Sequence, residues 1–133
     1  MSAKRFLVLA ASVLAGSVLF TSRTIAAEPD EGRVVRLAEL EIDPALLERY
    51  TAALKEEIEA SIRIEPGVLT LYAVAVKGHP EQIRLFEMYA SPAAYQAHLD
   101  TAHFKKYKAA TQGMVKSLTL VEAEPILLGS KFK

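Results

Sequence analysis

Polar and apolar residues alternate along the segment 34–42, where Glu39 and Glu41 fall on one side and Ala38 and Leu40 on the other. A period of two residues is typical of a β-strand that is buried on one face. The same alternation, or a short run rich in apolar and β-branched side chains, recurs at residues 68–76, 82–89 and 115–124. The pattern therefore predicts four strands.

The spacing of apolar residues changes to three and four after Asp43-Pro44, which supplies an N-cap and a first-turn proline. This spacing predicts one long helix with a single apolar stripe that faces a sheet. Glu65-Pro66-Gly67 ends the helix with turn residues. The stripe consists of Leu47, Tyr50, Leu54, Ile58 and Ile62.

Ser91-Pro92 repeats the same helix start and predicts a short helix through Leu99. A second short helix is predicted from about Ala102 to Gln112, with Gly113 as its C-cap. The segment Lys77-Gly78-His79-Pro80 predicts the turn of a hairpin between the second and third strands.

The predicted order is β-α-β-β-α-β, in which two short helices take the place of the second helix. We therefore expect an α+β domain in which helices cover one face of a four-stranded antiparallel sheet, the ferredoxin-like arrangement. Apolar residues also occur on the second face of the middle strands, and that face needs a cover of its own. A second copy of the chain, forming a twofold dimer, is the simplest cover, and a ligand pocket is the other use of such a surface.

The first 27 residues have the three parts of a secretory signal peptide: basic Lys4 and Arg5, an apolar run from Phe6 to Phe20, and a small-residue end at Ala27. A retained membrane anchor is the alternative, but an apolar run of about 15 residues is short of the roughly 20 that span a bilayer. We predict cleavage, export to the periplasm or medium, and no stable membrane insertion afterwards. The remaining parts would be a polar leader (28–33), one domain (34–125) and a tail (126–133).

Charge and cysteine content exclude several classes of function. Cleavage would remove three of the 16 basic side chains and leave 13 against 16 acidic ones, so nothing favours nucleic-acid binding. The chain has no Cys, which excludes disulfides, thiol nucleophiles and thiolate metal sites. It also has no glycine-rich phosphate loop and no nucleotide fingerprint, so the sequence signals no cofactor.

The segment from Phe86 to Tyr107 concentrates the residues that could carry chemistry. His98 lies beside the apolar stripe of its helix, where an imidazole could act as a proton shuttle or be an ordinary core histidine. His103 falls in the first turn of the next helix, and His79 lies in a turn. A metal site formed by His98 and His103 is not expected, because no third ligand follows at a useful spacing.

Glu87 and Tyr89 share one face of a strand. An inward carboxylate is costly unless it is paired or lines a wet cavity, and Arg36 on the first strand is one possible partner. Several aromatic residues could line such a cavity or could be ordinary core: Tyr72, Tyr89, Tyr95, Phe104 and Tyr107.

Three motifs resemble the antibiotic biosynthesis monooxygenase domain family, whose dimeric α/β-barrel members include small quinol monooxygenases. They are Glu65-Pro66-Gly67 with Tyr72, Phe86-Glu87-Met88-Tyr89, and the run Ala97 to Phe104 with Tyr107. The resemblance covers most of residues 34–124. It implies a ferredoxin-like fold, a homodimer and one pocket per subunit.

The resemblance also implies oxygenase chemistry without metal, flavin or haem, in which a deprotonated quinol-like substrate gives an electron to O₂. His98 would then be the base, Tyr72 and Tyr89 would orient the substrate, and Glu87 would lie at the pocket edge. Phe104 and Tyr107 would contact the substrate. The chain has no Trp, which disfavours the haem-degrading members, and export disfavours the isomerase of a phosphorylated diketone.

Two hypotheses from different classes follow. The first is a cofactor-independent monooxygenase that oxidises a small quinol or polyphenol-type aromatic. The second is a non-catalytic periplasmic dimer that binds a small ligand or has a stress-related role.

Overall fold

A computed structural model describes residues 32–131 of the chain. The predicted signal peptide and most of the predicted polar leader lie outside the described residues. No helix among residues 32–131 has the length and apolar character needed to cross a membrane. The elements are β1 (Val34–Ile42), α1 (Leu47–Ile64), β2 (Val68–Val76), β3 (His79–Tyr89), α2 (Pro92–Asp100), α3 (Ala102–Thr111) and β4 (Val115–Ala123).

The four strands form one antiparallel sheet in the order β2-β3-β1-β4, and the predicted ferredoxin-like α+β fold is confirmed. The register places Arg36 beside Glu87 on β3 and beside Glu122 on β4. It also pairs Leu71 on β2 with Glu87. Because side chains alternate across a strand, these residues share the face that the helices cover.

Side-chain caps fix where the helices begin. Asp43 Oδ1 accepts a hydrogen bond from the Ala45 amide at 2.9 Å, and a 3₁₀ turn at Pro44–Leu46 leads into α1. Ser91 Oγ accepts from the Ala94 amide at 3.0 Å at the start of α2. Thr101 Oγ1 accepts from the Phe104 amide at 3.3 Å and opens α3. The Asp-Pro and Ser-Pro starts read from the sequence are therefore confirmed.

Two turns differ from the prediction. The strand β3 begins at His79, so the hairpin turn shortens to Lys77 and Gly78, and Gly78 has a positive φ of 84°. Gln112 is the C-cap of α3, and Gly113 follows without a positive φ. The longer β3 arises because antiparallel pairing extends to the contact between Val76 and His79.

The core lies between the sheet and α1. Its largest cluster of buried side chains contains Ala38, Leu40, Ile42, Tyr50, Leu54, Ile83, Leu85 and Met114. A smaller cluster of Val68, Leu71 and Tyr89 packs under α2. The second cluster fixes the helix that carries His98.

The opposite face of the sheet, which we call the outer face, has no helix against it within residues 32–131. Four large apolar side chains there are at least two-fifths exposed: Leu37, Tyr72, Val74 and Val121. The apolar character read from the sequence for this second face is thus visible as exposed apolar surface.

Candidate active site

A cavity of about 380 Å³, which we call the central cavity, lies between the helix-covered face of the sheet and the helices α2 and α3. Polar and aromatic side chains converge on it from five elements. Its lining includes Arg36, Glu57, Glu87, Tyr89, Tyr95, His98, Phe104 and Tyr107.

His98 is the buried imidazole of this cavity, with 3% of the residue exposed. Its Nδ1 lies 3.0 Å from Glu65 Oε1, and its Nε2 lies 3.6 Å from Glu57 Oε1. The ring also packs against Phe104, with 4.7 Å between ring centroids, and against Tyr89, with 5.3 Å. The imidazole is therefore held in one orientation by two carboxylates and two aromatic rings.

Glu65 joins the two histidines of the site. It is the C-cap of α1, and its Oε1 also lies 2.6 Å from His103 Nε2. Burial raises the pKa of the Glu65 carboxyl, but the hydrogen bonds from His98 and His103 outweigh burial, and the net pKa is lowered. A carboxylate accepts but does not donate, so His98 Nδ1 donates to it and the proton-accepting position of a neutral ring is Nε2.

Glu57 faces that Nε2 atom from α1. It is 5% exposed, and its Oε1 accepts a hydrogen bond from Ser61 Oγ at 2.7 Å. A ring-nitrogen lone pair that faces a carboxylate oxygen in a buried site is unfavourable, and one proton held by either group relieves the repulsion. Glu57 Oε1 and His98 Nε2 therefore place a carboxylate and an imidazole nitrogen side by side at the cavity wall.

Glu87 and Tyr89 form the sheet side of the cavity, as their shared strand face predicts. The Tyr89 hydroxyl donates to Glu87 Oε2 at 3.0 Å. Burial raises the pKa of Glu87 above its ordinary value, although the Tyr89 hydrogen bond and the Arg36 charge act against it. Burial also raises the pKa of Tyr89, so its hydroxyl keeps its proton and remains a donor at neutral pH.

Arg36 and Tyr95 form another part of the wall. The Arg36 guanidinium carbon lies 4.6 Å from the centroid of the Tyr95 ring, and Nη1 donates to the Tyr95 hydroxyl. Arg36 and Glu87 are neighbours in the register, as the sequence suggested, but Arg36 makes its polar side-chain contact with Tyr95.

Phe104 and Tyr107 also line the central cavity, one of the two positions that the sequence left open for them. The Tyr107 hydroxyl lies 2.7 Å from the Tyr50 hydroxyl, and burial raises the pKa of both phenols. Tyr107 is thus partly engaged in the core, which was the alternative interpretation of this residue.

Tyr72 does not join this group. It is 57% exposed and pairs in the register with Phe86, one position away from Glu87, so it lies on the outer face. The sequence pattern could not supply the register between β2 and β3, and a shift of one residue changes the face. Tyr72 borders a second, more open groove between β2 and α1.

The sequence profile of antibiotic biosynthesis monooxygenases matches residues 33–110. A crystal structure from Bacteroides thetaiotaomicron, of a candidate antibiotic biosynthesis monooxygenase, is 53% identical to this chain with a TM-score of 0.75. The match covers 78% of this chain and 99% of that one. The chain belongs to the antibiotic biosynthesis monooxygenase family.

Other solved structures agree with this membership. A candidate monooxygenase from Lactobacillus acidophilus is 34% identical over 67% of this chain, with a TM-score of 0.66, but the match covers only 42% of that longer chain. A family protein from Nitrosomonas europaea is 21% identical over 71% of this chain and 90% of its own, with a TM-score of 0.66, and shows the shared fold. No curated protein sequence matches the chain. Family membership supports a monooxygenase-type activity at this general level.

Two carboxylates of this family member were missed as site residues. Glu65 was interpreted as a turn residue and as part of a family motif but not as a site residue, and Glu57 was not singled out. Glu57 and Ser61 lie three and seven positions after Leu54, on the side of the helix that carries the apolar stripe. A charged residue at a stripe position was the available signal, because such residues are rarely buried without a partner.

The structure also supplies a third potential metal ligand beside the two histidines. Donor atoms of Glu57, His98 and His103 all lie within 4.8 Å of one another. The sequence argument against a third ligand was therefore wrong, because the third group comes from α1, far earlier in the chain. Glu65 accepts a hydrogen bond from one nitrogen of each ring, so the other nitrogen of each neutral ring is the one that could ligate an ion.

Proposed function

We propose that this protein is a cofactor-independent monooxygenase that oxidises a small quinol or polyphenol-type aromatic with O₂. The observation that supports it best is the buried His98, held by Glu65 through Nδ1 and facing Glu57 through Nε2 in the wall of the central cavity. This arrangement suits proton removal from a phenolic hydroxyl. The aromatic wall suits a flat substrate.

In the proposed reaction, the substrate hydroxyl gives its proton to the pair formed by His98 and Glu57. The resulting anion is a stronger reductant and passes electrons to O₂. For a dihydroxybenzene, one oxygen atom enters the ring, the other leaves as water, and the product is a hydroxyquinone. The substrate supplies all the electrons, so no external reductant is needed. The Tyr89 hydroxyl would orient the substrate as a donor.

A panel of quinols in an oxygen electrode, followed by mass spectrometry with ¹⁸O₂, tests this function. We expect O₂ uptake that depends on protein and one ¹⁸O atom in the product. Saturable binding of the panel without O₂ uptake would favour the alternative, a non-catalytic ligand-binding module. Formation of H₂O₂ and an unlabelled quinone would contradict monooxygenation.

We also propose that the protein works as a homodimer and is exported. The exposed apolar side chains of the outer face support a second copy as their cover. The basic and apolar pattern of residues 1–27 supports export. Expression of the full chain in a Gram-negative host, with N-terminal sequencing of periplasmic protein, tests export. A mature chain that begins at Glu28 is expected, and retention of Met1 in the cytoplasmic fraction would contradict it.

A further inference from the structure

The wall of the central cavity contains a cation with an incomplete set of hydrogen bonds. Arg36 Nε is buried, and it has no hydrogen-bond partner within residues 32–131. An unsatisfied buried donor destabilises the folded state and needs an explanation in a native structure. Arg36 lines the cavity, but its Nε atom is closed to water, so a ligand acceptor reaches Nε only when the guanidinium turns toward the cavity.

The neighbouring carboxylates do not neutralise Arg36 at close range. Glu87 and Glu122 flank it in the register of the sheet, but neither forms an ion pair with it in the described part of the chain. Glu87 instead accepts the hydrogen bond from Tyr89. Lys108 and Lys116 also line the cavity and add positive charge from α3 and β4.

Tyr95 gives the guanidinium a fixed plane, because its ring lies under Arg36 and its hydroxyl accepts from Nη1. Tyr95 also lies three residues before His98 on the same short helix. Ser91 caps that helix, and Gly67 allows its close approach to the start of β2. One rigid element therefore positions both the guanidinium and the proposed proton acceptor.

We propose that Arg36 and Tyr95 form an acid-binding subsite of the central cavity, so that the substrate is a dihydroxybenzene that also carries a carboxylate. This inference rests on the proposed quinol oxidation and specifies its substrate. The planar donors of arginine match the two oxygens of a carboxylate, and such charge-assisted bonds are stronger in a water-poor site. The carboxylate binds at Arg36 while a ring hydroxyl lies toward His98.

Anaerobic calorimetry with 2,5-dihydroxybenzoate and its neutral methyl ester tests the subsite without turnover. We expect the wild-type protein to bind the acid about tenfold or more tightly than the ester, the effect of one charge-assisted hydrogen-bonded contact. Arg36→Met should abolish this preference. Arg84→Met, which removes an arginine from the outer face of β3, should leave it unchanged.

Equal binding of acid and ester by the wild-type protein would overturn the inference, and so would a preference that survives Arg36→Met. If circular dichroism shows that Arg36→Met does not fold, Arg36→Lys keeps the charge without the planar donor pair. It should lose most of the preference, and an unchanged preference would again overturn the inference. Preference for the acid without O₂ uptake would uphold the subsite and contradict the oxygenase. Failure of both ligands to bind would count against both proposals.

Discussion

The two faces of the sheet both carry apolar side chains, but they hold their charges differently. The helix-covered face brings ionisable side chains together in a buried cluster, whereas Arg84 and Glu39 on the outer face form an ion pair at 4.0 Å that stays in water. On the helix-covered face, His98 lies between Glu65 at 3.0 Å and Glu57 at 3.6 Å; His98 and Glu57 are buried, and Glu65 is half-buried. On the outer face, Tyr72 and Val74 are more than half exposed, and no described helix covers them. The helices α1, α2 and α3 therefore create the site, because they enclose charges that the sheet alone would leave in water.

Two tyrosines show the same contrast at the scale of one residue. Tyr89 is 1% exposed and donates to Glu87, whereas Tyr72 on the neighbouring strand is 57% exposed. The two side chains are chemically the same, and they differ in the face of the sheet from which they project. The helix-covered face should therefore govern activity, and the outer face should govern association.

Among the groups that hold His98 in place, Glu65 should give the largest effect on activity when it is changed, in the variant Glu65→Gln. The amide can no longer hold two imidazoles as a carboxylate does, so the proton-accepting tautomer of His98 is no longer fixed. We expect kcat/KM with a responsive quinol to fall about 100-fold, with dimer formation unchanged. Steady-state kinetics and imidazole ¹⁵N spectra measure this effect.

Glu59→Gln is the matched control for this change, because Glu59 is exposed on the same helix. Its kcat/KM should stay close to the wild-type value. Wild-type kinetics in Glu65→Gln would break the proposed separation of roles between the two faces.

Val74→Lys changes the outer face, and it should weaken dimer formation rather than catalysis. A charge placed in an apolar interface loses its hydration, so we expect dimer dissociation to increase about 10–100-fold. Light scattering over a range of protein concentrations measures the dissociation constant. Ala52→Asp on the exposed side of α1 serves as the control. A wild-type protein that is monomeric at micromolar concentration would contradict the dimer itself.

Gly67→Ala tests how closely α2 must approach the sheet. An added Cβ would lie 2.5 Å from the Ala94 Cβ, so α2 or the start of β2 has to move. We expect a loss of about 1–3 kcal/mol in unfolding free energy, measured by denaturant titration. At Gly113 an added Cβ meets no atom within 4 Å and φ is not positive, so Gly113→Ala should be nearly neutral. Equal stability of the two variants would show that α2 is not closely constrained.

The smallest expected effect is the pH dependence that Glu65 gives to stability. Its folded pKa is below the ordinary value of 4.5, so its contribution is complete above pH 4.5 and is lost as the pH falls through the folded pKa. Glu65→Gln should therefore cost about 1–3 kcal/mol at pH 7 and much less in strong acid. Thermal unfolding from pH 2 to pH 7 measures the difference. If the two proteins differ in stability by the same amount at every pH in this range, then hydrogen bonds to a charged Glu65 do not stabilise the folded protein.

Much of the fold could be predicted from local physics. The Asp43-Pro44 and Ser91-Pro92 starts define helices through short-range capping, and the alternation in residues 34–42 and 82–89 fixes which side chains share a face. These signals depend on residues a few positions apart. For the same reason, His98, Glu87 and Tyr89 could be assigned to an inward-facing surface from the sequence.

The rest of the site depends on contacts between distant segments. Glu65 meets His98 and His103 only after α1 packs beside α2 and α3, and no local spacing encodes that meeting. Tyr72 was misplaced because the alternation along β2 does not determine its register against β3. The role of Gly67 in close packing, rather than in a left-handed turn, likewise requires the position of Ala94.

In the proposed reaction His98 accepts the substrate proton, and O₂ uptake by the variant His98→Gln is the sharpest test of this role. Glutamine can still donate to Glu65 but cannot take a proton at neutral pH. With circular dichroism unchanged, we predict that kcat falls about 10²–10⁴-fold, whereas His79→Gln in the exposed hairpin keeps the wild-type rate. A His98→Gln protein that consumes O₂ and quinol at the wild-type rate would contradict the account.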